Sequence, residues 1–452
     1  MSAPDARTQA LLSAPIGPLL LRLAAPNVLG LVASTVTITY DGWVVGRLGA
    51  DALAGVALVF PLAMLMVQMS GGGLGGATTA AVARALGAGR RDQAGVLAVQ
   101  ALWVGLCFAL LFMAIGLGLA RPLFAALGGR GPVLDAAVAY AQALFGGAVL
   151  VWCTNLLSGA VRGSGQMTLV SGLVVGAAAL HLLLCPLLVF GFGGWRGLGV
   201  AGAAASTLAT TSVTGTVLAA LLLRGRGPLA LQAAAWRPRT EPLRALLRVG
   251  LPAMLSPVLS NACIATATAW IATLGTAALA GYGLAARLEY IVLPIAFGFG
   301  SALTTLVATS LGAGLPERAL RATWAGAGMV ALATGSVGAA AALWPHELLA
   351  PFARSPEVLG FGAAYLKVVG GFYGLFGLGL SLVFASQGAG RLFWPLVGSW
   401  SRLAVVAVGG WAVMRLWPGQ PQPLFAVVAA GYVAYAGIIA TAIALGRWQP
   451  RS

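Results

Sequence analysis

Between Leu11 and Tyr40 the chain carries a single charged residue, Arg22. The rest follows the same plan, with long apolar runs separated by short stretches rich in Arg, Gly and Pro. A helix of roughly 20 apolar residues spans the ~30 Å hydrocarbon core of a bilayer. The runs place twelve such helices at about 16–44, 50–86, 93–122, 132–160, 166–191, 197–223, 243–274, 276–312, 317–344, 356–386, 392–415 and 424–446. The second and eighth are long enough to tilt or protrude. The expected fold class is an all-α polytopic membrane protein with 12 transmembrane helices.

Composition excludes the other classes. Charged residues are 8% of the chain and hydrophobic ones 60%, against about 25% charged in soluble domains. A soluble enzyme, a disordered chain and a disulfide scaffold are all ruled out. The 64 glycines suit helices whose backbones approach closely. The net charge of +16 comes from arginines standing singly or in pairs between apolar runs. No basic face forms, so no nucleic-acid partner is expected. Cys107, Cys153, Cys185 and Cys263 lie inside apolar runs without CxxC spacing, as small buried side chains do. The first run is too long for a signal-peptide core.

The chain also repeats itself. Shifted by 226 residues, Leu21-Arg22-x3-Pro26 falls on Leu247-Arg248-x3-Pro252, and Leu48-Gly49-x3-Leu53-Ala54-Gly55 on Leu274-Gly275-x3-Leu279-Ala280-Gly281. Shifted by 225, Leu86-Gly87-Ala88-Gly89 falls on Leu311-Gly312-Ala313-Gly314. At that shift Ala139-Tyr140 meets Ala364-Tyr365, and Gly163-x-Gly165 meets Gly388-x-Gly390. The first run thus has a mid-chain partner, which marks it as a spanning helix. Each half holds six helices, so the halves are parallel repeats. The expected domains are an N-terminal lobe over 1–223, a cytoplasmic linker over 224–242 and a C-terminal lobe over 243–452.

Arginine placement sets the orientation. One set of loops holds Arg7, Arg84, Arg90, Arg91, Arg162, Arg224, Arg226, Arg237, Arg239, Arg244, Arg248, Arg318, Arg321, Arg391, Arg447 and Arg451. The opposite set holds Arg47, Arg121, Arg130, Arg196, Arg354 and Arg415. The positive-inside rule puts the first set, and both termini, in the cytoplasm.

Three motifs accompany the repeat: Asp41-x4-Gly46-Arg47-Leu48-Gly49-x3-Leu53-Ala54, Ala83-Arg84-x-Leu86-Gly87-Ala88-Gly89 and Arg287-x-Glu289. With them the chain resembles the multidrug and toxic compound extrusion (MATE) family over nearly its whole length. The acid late in the first helix resembles the DinF-like bacterial branch. The resemblance implies a V-shaped pair of six-helix lobes that export amphipathic, often cationic compounds in exchange for H⁺ or Na⁺.

Asp41 is the leading site candidate. A charge at mid-membrane costs about 2.5–3.5 kcal/mol on insertion scales, so such acids mark ion paths or pair with a base. The alternative is an interfacial acid beside Arg47. The resemblance makes Asp41 the coupling-ion site. Pro26 interrupts the first helix and Pro252 repeats it. A buried proline kinks a helix, and the resemblance associates Pro26 with bending.

The fifth helix departs from the family pattern Asn-x-x-Leu-Asp-Pro-Leu-Leu. It reads His181-Leu-Leu-Leu184-Cys185-Pro186-Leu187-Leu188. His181 and Cys185 are four apart and share a face. Na⁺ as a hard ion wants oxygens, and two are missing here. Histidine titrates near neutral pH. Protons are therefore the expected coupling ion and Na⁺ the alternative; a packing role for His181 is also open. Thr207 matches a sixth-helix hydroxyl near this site in relatives.

In the eighth helix Arg287 and Glu289 lie two apart, on different faces. Lys367 and Arg402 are possible counter-charges, and a structural ion cluster is the alternative to a substrate contact. Tyr40, Tyr282, Tyr290, Tyr365, Phe60, Met64, Met66 and Met69 are candidates to line a substrate cavity. The run Gly71–Gly76 lacks a GK[ST] ending and is read as close packing or a flexible point, not a phosphate loop.

The expected function is secondary efflux of amphipathic or cationic organic compounds by alternating access in the cell inner membrane. No cofactor and no catalytic residue is expected, and the chain is expected to act as a monomer. A lipid-linked oligosaccharide flippase of the same superfamily is the alternative. An intramembrane enzyme is disfavoured, because neither HExxH nor GxSxG occurs.

Overall fold

A computed structural model of the chain describes residues 6–224, 229, 236–352 and 355–446. Arg226, Pro228, Arg354, Arg447 and Arg451 lie outside this set, as does the side chain of Tyr290.

Among the described residues the structure is almost wholly helical. The spanning helices are α1 (Ile16–Gly46), α2 (Ala50–Gly87), α3 (Arg91–Gly118), α4 (Gly131–Gly146 with Ala148–Gly163), α5 (Met167–Phe190) and α6 (Val200–Leu223). The second half supplies α7 (Thr240–Ala272), α8 (Thr276–Gly312), α9 (Pro316–Leu343), α10 (Pro356–Ala389), α11 (Phe393–Leu416) and α12 (Pro421–Ala444). Eleven are long and apolar enough to cross a membrane alone; α4 is a twelfth, bent by 48° at Gly147. A short antiparallel pair, β1 (Gly191–Phe192) and β2 (Trp195–Arg196), turns α5 back into α6.

Hydroxyl groups sit comfortably in these helices because they bond within them. In α1, Ser34 donates to the Gly30 carbonyl, Thr35 to Leu31 and Thr39 to Thr35. Such back-bonding satisfies the hydroxyl where water is absent.

The sequence repeat is also a repeat of contacts. The Thr79 hydroxyl in α2 donates to the Gly159 carbonyl of α4 at 2.8 Å. Its counterpart Thr304 in α8 donates to the Phe384 carbonyl of α10 at 2.9 Å. A Cβ on Gly163 would lie 2.7 Å from the Thr79 carbonyl oxygen, and one on Gly388 would lie 2.7 Å from that of Thr304. The two helix pairs therefore touch backbone to backbone at matching points. The helix ends repeat too. Gly89 (φ 71°) and Gly314 (φ 74°) close α2 and α8 in the left-handed region. There Arg90 N–H returns to the Ala85 carbonyl and Leu315 N–H to that of Ser310, a Schellman ending that favours glycine.

The halves differ inside α2. Gln68–Gly75, which holds most of the glycine run, is π-helical. Its Ser70 hydroxyl accepts a bond from the Asn155 amide at 2.8 Å, and a Cβ on Gly159 would lie 2.5 Å from the Gly75 carbonyl oxygen.

By contacts the chain divides into two units. Unit 1 contains Leu29–Met254 with the first nine residues; unit 2 contains Ala10–Val28 and Leu255–Ser452. The division thus falls inside α1 and α7 rather than in the 224–242 stretch. In both helices it comes just past the repeated proline, Pro26 or Pro252. Within unit 2 the opening of α1 packs tightly on α8, where the Asn27 amide donates to the Gly298 carbonyl at 3.4 Å. Arg318 donates to the Leu11 and Ala14 carbonyls, at and just past the end of the short helix Ala6–Ser13, where carbonyls run out of intrahelical partners.

Candidate functional site

Three helices of unit 1 converge on Asp41. It lies late in α1, partly accessible, with its side chain 20% exposed. From α5, His181 Nε2 stands 2.6 Å from Asp41 Oδ1, and the Cys185 thiol donates to the same oxygen at 3.2 Å. The four-residue spacing brings imidazole and sulfur to one face. From α6, Ser206 Oγ lies 3.1 Å from His181 Nδ1. His181, Cys185 and Ser206 are buried, against an apolar shell of Val44, Val45, Val189 and Ala203 with Tyr40 and Tyr140 at its edge.

A nitrogen and an oxygen this close hold a proton between them. Oδ1 thus accepts from two sides, and the remaining donors are nitrogen, sulfur and one hydroxyl. Among the described residues, the side-chain donors to this oxygen are one nitrogen and one sulfur.

Thr207 is half-buried. Its hydroxyl bonds to the Ala203 carbonyl of its own helix, and the adjacent Ser206 is the hydroxyl on the histidine. The sequence held a signal for this face, since Ser206, Thr210 and Thr214 stand four apart and all are buried. Tyr40 stacks on Trp43 with centroids 5.6 Å apart. Met64 is half-buried, Phe60 is exposed, Met66 is in the core and Met69 packs against it. Pro26 belongs to unit 2.

Unit 2 holds a second polar cluster. Tyr365 and Tyr432 donate their hydroxyls to Glu289 Oε1 at 2.9 and 3.2 Å. Arg402, 7% exposed, lies over the Tyr432 ring at 4.8 Å and the Phe376 ring at 5.2 Å. Glu289, Arg402, Tyr282, Tyr365, Tyr432 and Cys263 line one small cavity. Tyr282 meets Tyr365 edge to face at 5.2 Å. Of the two counter-charges considered for Glu289, Arg402 shares its cavity, whereas Lys367 is exposed, as is Arg287.

Equivalent helices contribute to both clusters, although the acids come from non-equivalent ones, α1 and α8. At the 225 shift Tyr140 corresponds to Tyr365 and Thr207 to Tyr432, whereas His181 and Cys185 correspond to Val406 and Gly410. The repeat supplies matching helices and fills them with different chemistry.

Comparison with known proteins agrees with this architecture. A model of the MatE family matches residues 26–187 and again 252–411, together more than half of the chain. A protein of Shewanella oneidensis named as an FAD transporter is 28% identical over 376 residues, covering 83% of this chain and 82% of its own. A probable multidrug resistance protein NorM of Xanthomonas axonopodis pv. citri is 30% identical over 335 residues, covering 72% and 71%. Among solved structures, a MOP superfamily transporter from Pyrococcus furiosus superposes with a TM-score of 0.89 at 24% identity, covering 100% of both chains; at that identity the likeness is one of fold.

Proposed function

Because the chain belongs to the MatE family, we propose that it exports amphipathic organic cations across the cell inner membrane in exchange for protons, by alternating access. The observation that carries this reading is the proton-bridged pair Asp41–His181, with sulfur rather than oxygen as the next donor. Such a set suits H⁺ better than Na⁺, which prefers several oxygens. Cargo and proton disfavour each other's binding, and that coupling is reciprocal. The family's multidrug relatives support the cargo class. Arginine placement supports cytoplasmic termini, and two repeats in one chain support action as a monomer.

The test is efflux of a fluorescent organic cation from proteoliposomes under either a pH or a Na⁺ gradient. Transport is expected on the pH gradient alone and is expected to fall to background in Asp41→Asn. Transport that requires Na⁺ overturns proton coupling.

A second reading is an anionic aromatic cargo. It is favoured by the flavin-dinucleotide relative and by two exposed bases of unit 2, Arg287 and Lys367. Competition for efflux by FAD, and none by organic cations, selects it. A lipid-linked phosphate would call for several bases around one cavity, and the cavity at Glu289 is lined by one, Arg402.

A further inference from the structure

Three donors of different chemistry meet in unit 1. The carboxylate of Asp41, the imidazole of His181 and the sulfur of Cys185 offer ligand atoms that all lie within 4.8 Å of one another. His181 and Cys185 are one turn apart on α5, and Asp41 reaches both from α1. Ser206 holds His181 Nδ1 and leaves Nε2 facing the carboxylate. Metal-binding histidines are built in this way, with one nitrogen toward the ion and the other fixed by a hydrogen bond. The pocket is nearly dry on the α5 side, with Cys185 0% and His181 3% exposed.

We propose that Asp41, His181 and Cys185 bind a zinc-class divalent cation through three protein ligands, with a fourth position left to water. The donor set selects the ion. Thiolate and imidazole suit Zn²⁺, Cd²⁺ and Co²⁺, whereas Mg²⁺ and Ca²⁺ take oxygen shells. Seating the ion requires Oδ1 and Nε2 to part by about 1 Å, given metal–ligand distances near ~2.0–2.3 Å. His181 keeps its Nδ1 hydrogen, donated to Ser206 Oγ, and the proton between Asp41 and His181 leaves to water. The S–H bond of Cys185 breaks as the sulfur–metal bond forms, and its proton also leaves, so about two protons are released per ion. The metal thus takes the place of the exchanged proton. On the proton-exchange reading above, on which this last consequence rests, zinc inhibits transport in competition with protons.

Cobalt tests the site directly. Full-length purified protein in detergent is titrated with Co²⁺ and read by its thiolate-to-cobalt charge-transfer absorption. One ion per chain is expected, displaced by Zn²⁺. The band is expected to persist when Cys107, Cys153 and Cys263 are all changed to Ser and to vanish in Cys185→Ser, each variant being checked for fold by circular dichroism. Absence of the band from the wild type, or its survival in Cys185→Ser, overturns the site. In proteoliposomes, Zn²⁺ is expected to inhibit wild-type efflux. Whatever transport Cys185→Ser retains should need at least about tenfold more Zn²⁺ for the same fractional inhibition, in line with the loss of a ligand; equal sensitivity overturns the competition. The cobalt titration needs no transport. Metal binding without pH-driven efflux therefore refutes the exchange reading and leaves the site standing.

Discussion

At the scale of residues, function in unit 1 turns on which hydroxyl meets the histidine. Ser206→Ala leaves a buried ring nitrogen without its partner, at a cost of about 1–3 kcal/mol. The thermal unfolding midpoint in detergent is expected to fall, and Ser206→Thr to recover most of the loss. Thr207→Val removes a hydroxyl that serves its own helix and should change stability by less than about 0.5 kcal/mol. Adjacent helix residues point about 100° apart, and the rotation that decides between them comes from packing. Asp41, His181 and Cys185 were therefore legible as polar groups stranded in apolar runs, while Ser206 was marked only by its four-residue spacing to Thr210 and Thr214. The same limit applies in unit 2. Arg287 and Glu289, like Tyr365 and Lys367, are two apart and diverge. Sequence named Arg402 as one of two counter-charges for Glu289; the turn of α11 put it in the same cavity.

At the scale of elements, the repeated contact between α2 and α4, and between α8 and α10, gives a paired prediction. Gly163→Ala and Gly388→Ala each drive a methyl group toward a carbonyl oxygen at 2.7 Å. Each should destabilise by about 1–3 kcal/mol, as overpacking does. Gly172 has open space around it, so Gly172→Ala in the same assay should be neutral or stabilising by up to about 1 kcal/mol. A drop in only one half would mean that the matching contacts are not equally tight. Helix positions were legible to within a few residues because the apolar runs are long and the glycine endings recur. The π-helical turn Gln68–Gly75 was not, since its glycines allow several hydrogen-bond registers and the choice depends on neighbours such as Asn155.

At the scale of the whole molecule, the prolines carry the prediction. Pro26 and Pro252 each stand just before the point where a helix passes from one unit to the other. A helix-interior proline is costly, by about 3 kcal/mol in exposed helices. Pro26→Ala and Pro252→Ala should therefore leave the unfolding midpoint unchanged or raised while efflux slows several-fold. A lowered midpoint with normal efflux would remove the hinge role.

The exchange of helix openings between units also bears on how such a chain can be cut. A break in the 225–235 stretch yields two fragments of six helices each. Each fragment then holds the opening of a helix that packs in the other's unit. Expressed separately, each leaves a bare seam where the missing segment belongs; expressed together, they can complement each other only by trading those segments. The two halves are alike enough to be copies, yet neither is a spare for the other.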